Sequence, residues 1–210
     1  MAKLSVTWNN FTVHKKHDVD RDRPYLWVFG IVIDAKTLVS KDFVVRRPCE
    51  SDNLGSRYGK GDSRPVPREL DMALDVNPIL GFMAGGVVVV AWENAMTRDK
   101  VTAAAYDAAA DAIDDFVRDF LEGGLVDRDG DGAPDGPSET EIRDLSVKVA
   151  DAVRRTIRAG WSVFQLTPDH NIGTAQCLLT FDGPESRNLD FRFVKKTTDY
   201  QLEGTLDYTG

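Results

Sequence analysis

Pro24-Tyr25-Leu26-Trp27-Val28-Phe29-Gly30-Ile31-Val32-Ile33 decides how this chain must fold. The stretch carries no charge and is crowded with aromatic and β-branched side chains, so it reads as a buried strand. Residues 4–13 precede it and alternate, with Leu4, Val6 and Trp8 on one face, and read as a second strand. A charged turn, residues 14–23, joins the two. Asp42 to Arg46 has the length of a further short strand. Residues 48–68 hold three prolines, three glycines and many charges, which predicts a long mobile loop. The segment 80–92 contains a fully apolar strand, residues 87–92, entered through Gly85-Gly86.

Beyond Thr102 the apolar period changes from two to the three-and-four spacing of a helix. Tyr106, Ala109, Ile113, Phe116, Val117, Phe120 and Leu121 share one face, and Asp107, Asp111, Asp114, Asp115 and Arg118 the other. Gly123-Gly124 ends that helix. A second stripe, Ile142, Leu145, Val149, Val153, Thr156 and Ile157, predicts a second helix. Arg154, Arg155 and Arg158 lie near its end, where the helix dipole favours cations, and Gly160 stops it. The last third returns to strands over residues 175–181, 188–195 and 200–208. Asp182-Gly183-Pro184 and Thr197-Thr198-Asp199 read as turns. The expected fold is α+β: one domain over residues 1–210, sandwich-like strands at both ends of the chain, and a helix-loop-helix insertion over residues 101–160.

The chain has 210 residues, 42% of them hydrophobic, enough for a normal core. Its formal charge of -8 is unevenly spread. Residues 107–144 hold 13 acidic and 3 basic side chains, a formal -10, and the remainder is +2. Such a surface argues against free nucleic acid as a partner, because phosphate binding needs a basic footprint. Cys49 and Cys177 are too few for a disulfide framework, and fit either one bridge or two thiols. The N-terminus alternates polar and apolar and has no signal-peptide core. The longest apolar run, residues 85–92, is too short to span a bilayer. A cytoplasmic chain is expected from the sequence as it stands, with secretion by another route left open.

Between the two predicted helices lies Asp127-Arg128-Asp129-Gly130-Asp131-Gly132-Ala133-Pro134-Asp135. Acidic side chains recur at every second position and glycine closes the turn, which is how a short loop wraps oxygen ligands around a hard cation such as calcium. Counting from Asp127, loop positions 1, 3, 5 and 9 are aspartate, position 6 is Gly132, and position 7, Ala133, offers its carbonyl. Position 12 is Ser138 where a bidentate Glu is expected, and Glu139 stands one residue late. Ser138-Glu139-Thr140-Glu141 also fits a capping box with Ser138 as N-cap and Glu141 at N3. Glu141 is then occupied, and Glu139 becomes the candidate for the last ligand. The segment resembles the EF-hand-like calcium loops of bacterial proteins, of the thrombospondin type 3-like and dockerin-like kind. That resemblance covers about a dozen residues. It implies a Ca²⁺ site at Asp127, Asp129, Asp131, Ala133, Asp135 and Glu139.

A second aspartate run, Asp18, Asp20 and Asp22 before Pro24-Tyr25, is similar to the first calcium loop of C2 domains, although Arg21 and Arg23 interrupt it. His14, His17 and His170, with Asp18 or Asp169, match no standard zinc spacing. Gly55 to Gly61 is one residue short of a phosphate loop and lacks the hydroxyl residue after Lys60. Trp8, Trp27, Trp92 and Trp161 fall on apolar faces and are assigned to the core. The expected function is a calcium-binding module, structural or interacting with a protein partner, and not obviously an enzyme. The alternatives are a C2-like calcium-dependent membrane or protein module, and a hydrolase whose site is scattered through the sequence. Oligomeric state is not legible.

Overall fold

The computed structural model describes residues 2–16, 22–55, 57–78, 83–94, 99–123, 138–160, 170–181 and 183–210. In chain order the elements are β1 (Ala2–Lys15), β2 (Pro24–Ile33), α1 (Ala35–Ser40), β3 (Val44–Arg46), β4 (Ser63–Pro65), a 3₁₀ turn (Arg68–Leu70), β5 (Met72–Val76), β6 (Met83–Glu93), α2 (Asp99–Glu122), α3 (Glu139–Gly160), β7 (His170–Phe181), β8 (Glu185–Lys195) and β9 (Thr198–Thr209). They form two antiparallel sheets. One has the order β4-β1-β9-β8, with β5 also paired to β1, and the other the order β3-β2-β6-β7. The fold is α+β and β-rich, as expected. No helix among the described residues is long and apolar enough to cross a membrane.

The alternating strands explain the first core. Leu4, Val6 and Trp8 of β1, Leu189, Phe191 and Phe193 of β8, and Tyr200, Leu202 and Leu206 of β9 point to one side of their sheet and meet Leu26, Val28, Val87 and Val89 of the other. Strand β1 keeps this up over its length by slipping register between Trp8 and Phe11, a bulge that returns Phe11 and Val13 to the buried face. Asp71 accepts the Trp8 backbone N–H at 2.9 Å and Leu70 O accepts the Trp8 indole N–H at 3.1 Å, so the irregular strand leaves neither donor unsatisfied.

Strand β2 has no polar face, and the fold uses both of its faces. Every one of its residues is buried. Its other set, Tyr25, Trp27, Phe29, Ile31 and Ile33, joins Val88, Val90 and Trp92 of β6 against Ala105, Tyr106, Ala109, Ile113, Phe116 and Val117 of α2 and Leu145 and Val149 of α3. The β3-β2-β6-β7 sheet is therefore the middle layer of three, sheet on sheet on helices. Helix α2 runs alongside β2 in the same direction. Tyr106 meets Trp27 and Phe29, Asp107 reaches Arg46, and Asp114 accepts the Phe43 N–H at 3.2 Å. The chain leaves the sheet at Glu93 and re-enters at His170, which lie opposite one another, so the helices interrupt what is otherwise a β6–β7 hairpin.

Several details differ from the sequence reading. Gly85 and Gly86 lie inside β6 rather than before it, paired to Leu179 and Leu178. A side chain at Gly86 would collide with the Cys177 carbonyl, so glycine permits the close approach of the two strands. The stretch 48–68, expected to be loose, buries Leu54, Tyr58 and Val66 and contains β4. Thr198 and Asp199 belong to β9, and the preceding turn is Lys196-Thr197. Strand β5 and helix α1 were not anticipated. Asp34 caps α1 by accepting the Thr37 N–H at 2.8 Å and also accepts the Asn77 N–H at 2.9 Å.

Candidate functional site

Helix α2 delivers one side of the candidate metal loop. Its buried stripe continues to Phe116 and Val117, Leu121 packs partly buried at its end, and the Gly123 N–H closes the last turn on Asp119 O at 3.0 Å. The acidic face is held by two cations from other elements and one of its own. Arg46 of β3 reaches Asp107 at 2.6 Å and Asp111 at 3.5 Å, Arg118 pairs with Asp114 at 2.5 Å, and Lys148 of α3 pairs with Asp119 at 3.1 Å. These pairs are half exposed, and each contributes at most about 1 kcal/mol. The Arg46 pairs, together with the Tyr106 hydroxyl, which donates to Arg47 O at 2.6 Å, register α2 on β3. Burial first, then the nearby Cys49, pushes the Tyr106 phenol well above its ordinary range, so it remains a donor.

Helix α3 delivers the other side through its cap. Glu141 accepts the Ser138 backbone N–H at 2.7 Å and the Ser138 hydroxyl at 2.6 Å, and Ser138 Oγ accepts the Glu141 N–H at 3.3 Å. The capping box read from the sequence is formed. Glu139 is the first residue of α3. Asp127, Asp129, Asp131, Ala133 and Asp135 lie outside the described residues, as does the Glu139 side chain. Lys148 stands beside both Asp119 and the Phe116 ring, 5.9 Å from its centroid, and so fixes the level at which the two helices meet. Among the described residues, no three His, Cys, Asp or Glu side chains come together as a metal site.

The other candidates resolve differently. Asp18 and Asp20 lie outside the described residues, but Asp22 is fully buried and accepts the Tyr200 hydroxyl at 2.7 Å. Its backbone pairs with Tyr58. Asp22 is thus drawn into the core. His17 and Asp169 lie outside the described residues, and so does Trp161. His14 shares a 2.8 Å hydrogen bond with Gln201. Cys49 and Cys177 are free thiols that pack against different cores, one on each side of the middle sheet, so they do not pair. Burial raises both thiols and keeps them protonated.

Two cavities flank α2. One, about 650 Å³, lies at its first turn and is lined by Arg23, Cys49, Glu50, Asp52, Asn94 and Thr102. The other, about 520 Å³, lies between α1 and the last turn of α2, where Leu38, Phe43 and Leu121 meet Lys41 and Arg118. Neither was signalled by a sequence motif, since their walls come from segments far apart in the chain. No family model matches this sequence, and no curated protein does.

Proposed function

We propose that the loop joining α2 to α3 binds one calcium ion and thereby ties α3 to the sheet-bound α2. The ligands are Asp127, Asp129, Asp131, the Ala133 carbonyl, Asp135 and Glu139, a set of oxygens suited to a hard cation. The observation that carries this reading is the Ser138–Glu141 capping box. It commits Glu141 to backbone and hydroxyl donors and leaves Glu139, one turn position away, as the acidic residue that can close the coordination sphere. Pro134 and Pro137 restrict the loop and lower the ordering cost of binding.

The role is structural rather than that of an opening switch. Helix α2 is a fixed layer of the fold: its apolar face is buried against Trp27, Phe29 and Val88, and its acidic face is bound to Arg46. Helix α3 adds Leu145 and Val149 to that core and meets α2 through Lys148. An ion at the loop therefore adds stability by mass action without having to expose a surface. The C2-like alternative is weakened by Asp22, whose carboxylate is held by Tyr200 in the core.

Calorimetric titration of the chelator-stripped protein tests the reading. About one equivalent of calcium is expected to bind, and Asp129→Ala with Asp131→Ala should abolish the heat. Identical titrations of the two proteins would defeat the proposal.

A further inference from the structure

The sheet edges are guarded unequally. Strands β4 and β5, which share the outer side of β1, have three and five residues, and β4 ends on Pro65 with Pro67 just beyond. Strand β3 has three residues and stops short of Pro48. Strand β7 meets α3, and its Asn171 O takes the Lys195 ammonium at 2.6 Å. Strand β8 ends the larger sheet differently. It has 11 residues, holds neither proline nor glycine, and pairs with β9 from Glu185 to Lys195 without a register shift.

The two-residue turn Lys196-Thr197 fixes which groups β8 gives to β9. Lys195 and Thr198 form the hydrogen-bonded pair that closes such a turn, and bonded and non-bonded pairs alternate from there. The odd-numbered residues therefore bond β9. Ser186, Asn188, Asp190, Arg192 and Val194 turn their backbone N–H and C=O groups to the outer edge, where no strand is paired to them among the described residues. Their side chains are exposed as well. On the inward row Phe191, 8% exposed, is the least covered of the buried apolar residues described. The edge thus offers a full set of ladder groups and a partly covered core ring.

The charges on this edge select its occupant. An antiparallel strand added here must set even residues opposite even ones, since only those face outward. For a second copy of β8, a twofold axis at Asp190 puts aspartate opposite aspartate, and one at Arg192 puts arginine opposite arginine, both unfavourable. An axis at Phe191 sets Asp190 of each copy opposite Arg192 of the other. Arg192 holds Asp199 through Nε and Nη2, at 2.5 and 2.7 Å, which leaves Nη1 for the second carboxylate. The two Phe191 rings then meet at a non-hydrogen-bonded site, where side chains approach most closely. Towards the ends the register sets Arg187 opposite Lys195, but Arg187 carries its own Glu185 at 2.5 Å and Lys195 is bound to Asn171 O. We propose that β8 is a self-association edge, on which two copies of the chain pair antiparallel about Phe191 and join their larger sheets into one.

Sedimentation velocity of the full chain in chelator, from micromolar to near-millimolar concentration, tests this. A monomer–dimer equilibrium is expected. Asn188→Pro removes an outward N–H and nothing from the β9 ladder, so it should abolish the dimer while the circular dichroism of the monomer stays that of the parent. Asp190→Arg and Arg192→Asp each oppose like charges at both cross-strand pairs and should weaken association by about tenfold or more. Mixing the two variants restores both ion pairs and should recover the parent's affinity. Arg192→Asp gives up Asp199; should it not fold, Asn188→Pro and Asp190→Arg decide alone. A chain that stays monomeric throughout, a dimer that survives Asn188→Pro, or folded variants that fail to complement would each overturn the proposal. Because chelator is present throughout, the outcome is independent of the calcium titration.

Discussion

The two cores on either side of the middle sheet are built differently from the same strands. Between the sheets, Trp8 sits among aliphatic residues and Phe191, and its indole N–H reaches Leu70 O. Between sheet and helix, Tyr25, Trp27, Trp92, Phe29 and Tyr106 pack ring on ring, with the Trp27 and Trp92 centroids 4.5 Å apart. Among the described residues, neither of those indole N–H groups has an acceptor. The inter-sheet core closes pairings between β1 and β9, at the two ends of the chain, and satisfies the Trp8 indole. The helix-side core seats an inserted hairpin by aromatic area and tolerates two orphan donors, which oppose its gain by about 1–3 kcal/mol each. The difference teaches that α2 is held by shape and area, whereas the sandwich is held by area and by the long, bulged ladder between β1 and β9.

Trp27→Ala against Leu202→Ala should break the comparison most visibly. Each is expected to cost about 2–5 kcal/mol. In hydrogen exchange, however, the first should release amides of α2 and α3 while β1 and β9 stay protected, and the second should expose β1 and β9. Matching exchange patterns would mean that the two cores are one cooperative unit.

A finer contrast comes from Trp8→Phe and Trp92→Phe. The first strands the Leu70 carbonyl and should lower stability by about 1–3 kcal/mol, and the second removes an unsatisfied donor and should stay within about 1 kcal/mol of the parent. Denaturant midpoints decide it, and equal losses at both sites would erase the distinction.

The smallest effect is with pH. Asp34 and Asp199 both titrate below the ordinary carboxylate range. At Asp34 burial opposes the charge and is outweighed by hydrogen bonds from Thr37 and Asn77, and at Asp199 the Arg192 hydrogen bond leads. A carboxyl depressed in the folded state stabilises fully above its unfolded value, about 3.9, and that gain is lost as pH falls through the lower folded value. Melting temperature should therefore fall over that acid window, and Asp34→Asn should flatten part of the slope.

Much of this architecture was legible. The uncharged run of β2 announced a buried strand, the three-and-four spacing of α2 announced its packing stripe, and the Ser138–Glu141 spacing announced a cap that the structure forms. What escaped depends on partners distant in sequence. Strand β5 has five residues, and its burial of Met72 and Val76 exists only because β1 lies beside it. Tyr58 looked like part of a loose loop, yet it is buried by Phe11 and by the bridge to Asp22. Arg46 gave no local hint that it would bind Asp107 across the sheet and helix layers. The register of Asp127, Asp129, Asp131 and Asp135 was plain in the sequence, and their ligation stays a proposal.

Hydrogen exchange with and without calcium is the most direct measurement of the central claim, that an ion at the loop clamps the helix layer. Calcium should slow exchange at the last turn of α2, residues 119–123, and the first turns of α3, residues 138–145, and leave the amides of β1 and β9 unchanged. No slowing at either helix end, or slowing confined to the sheets, would contradict it.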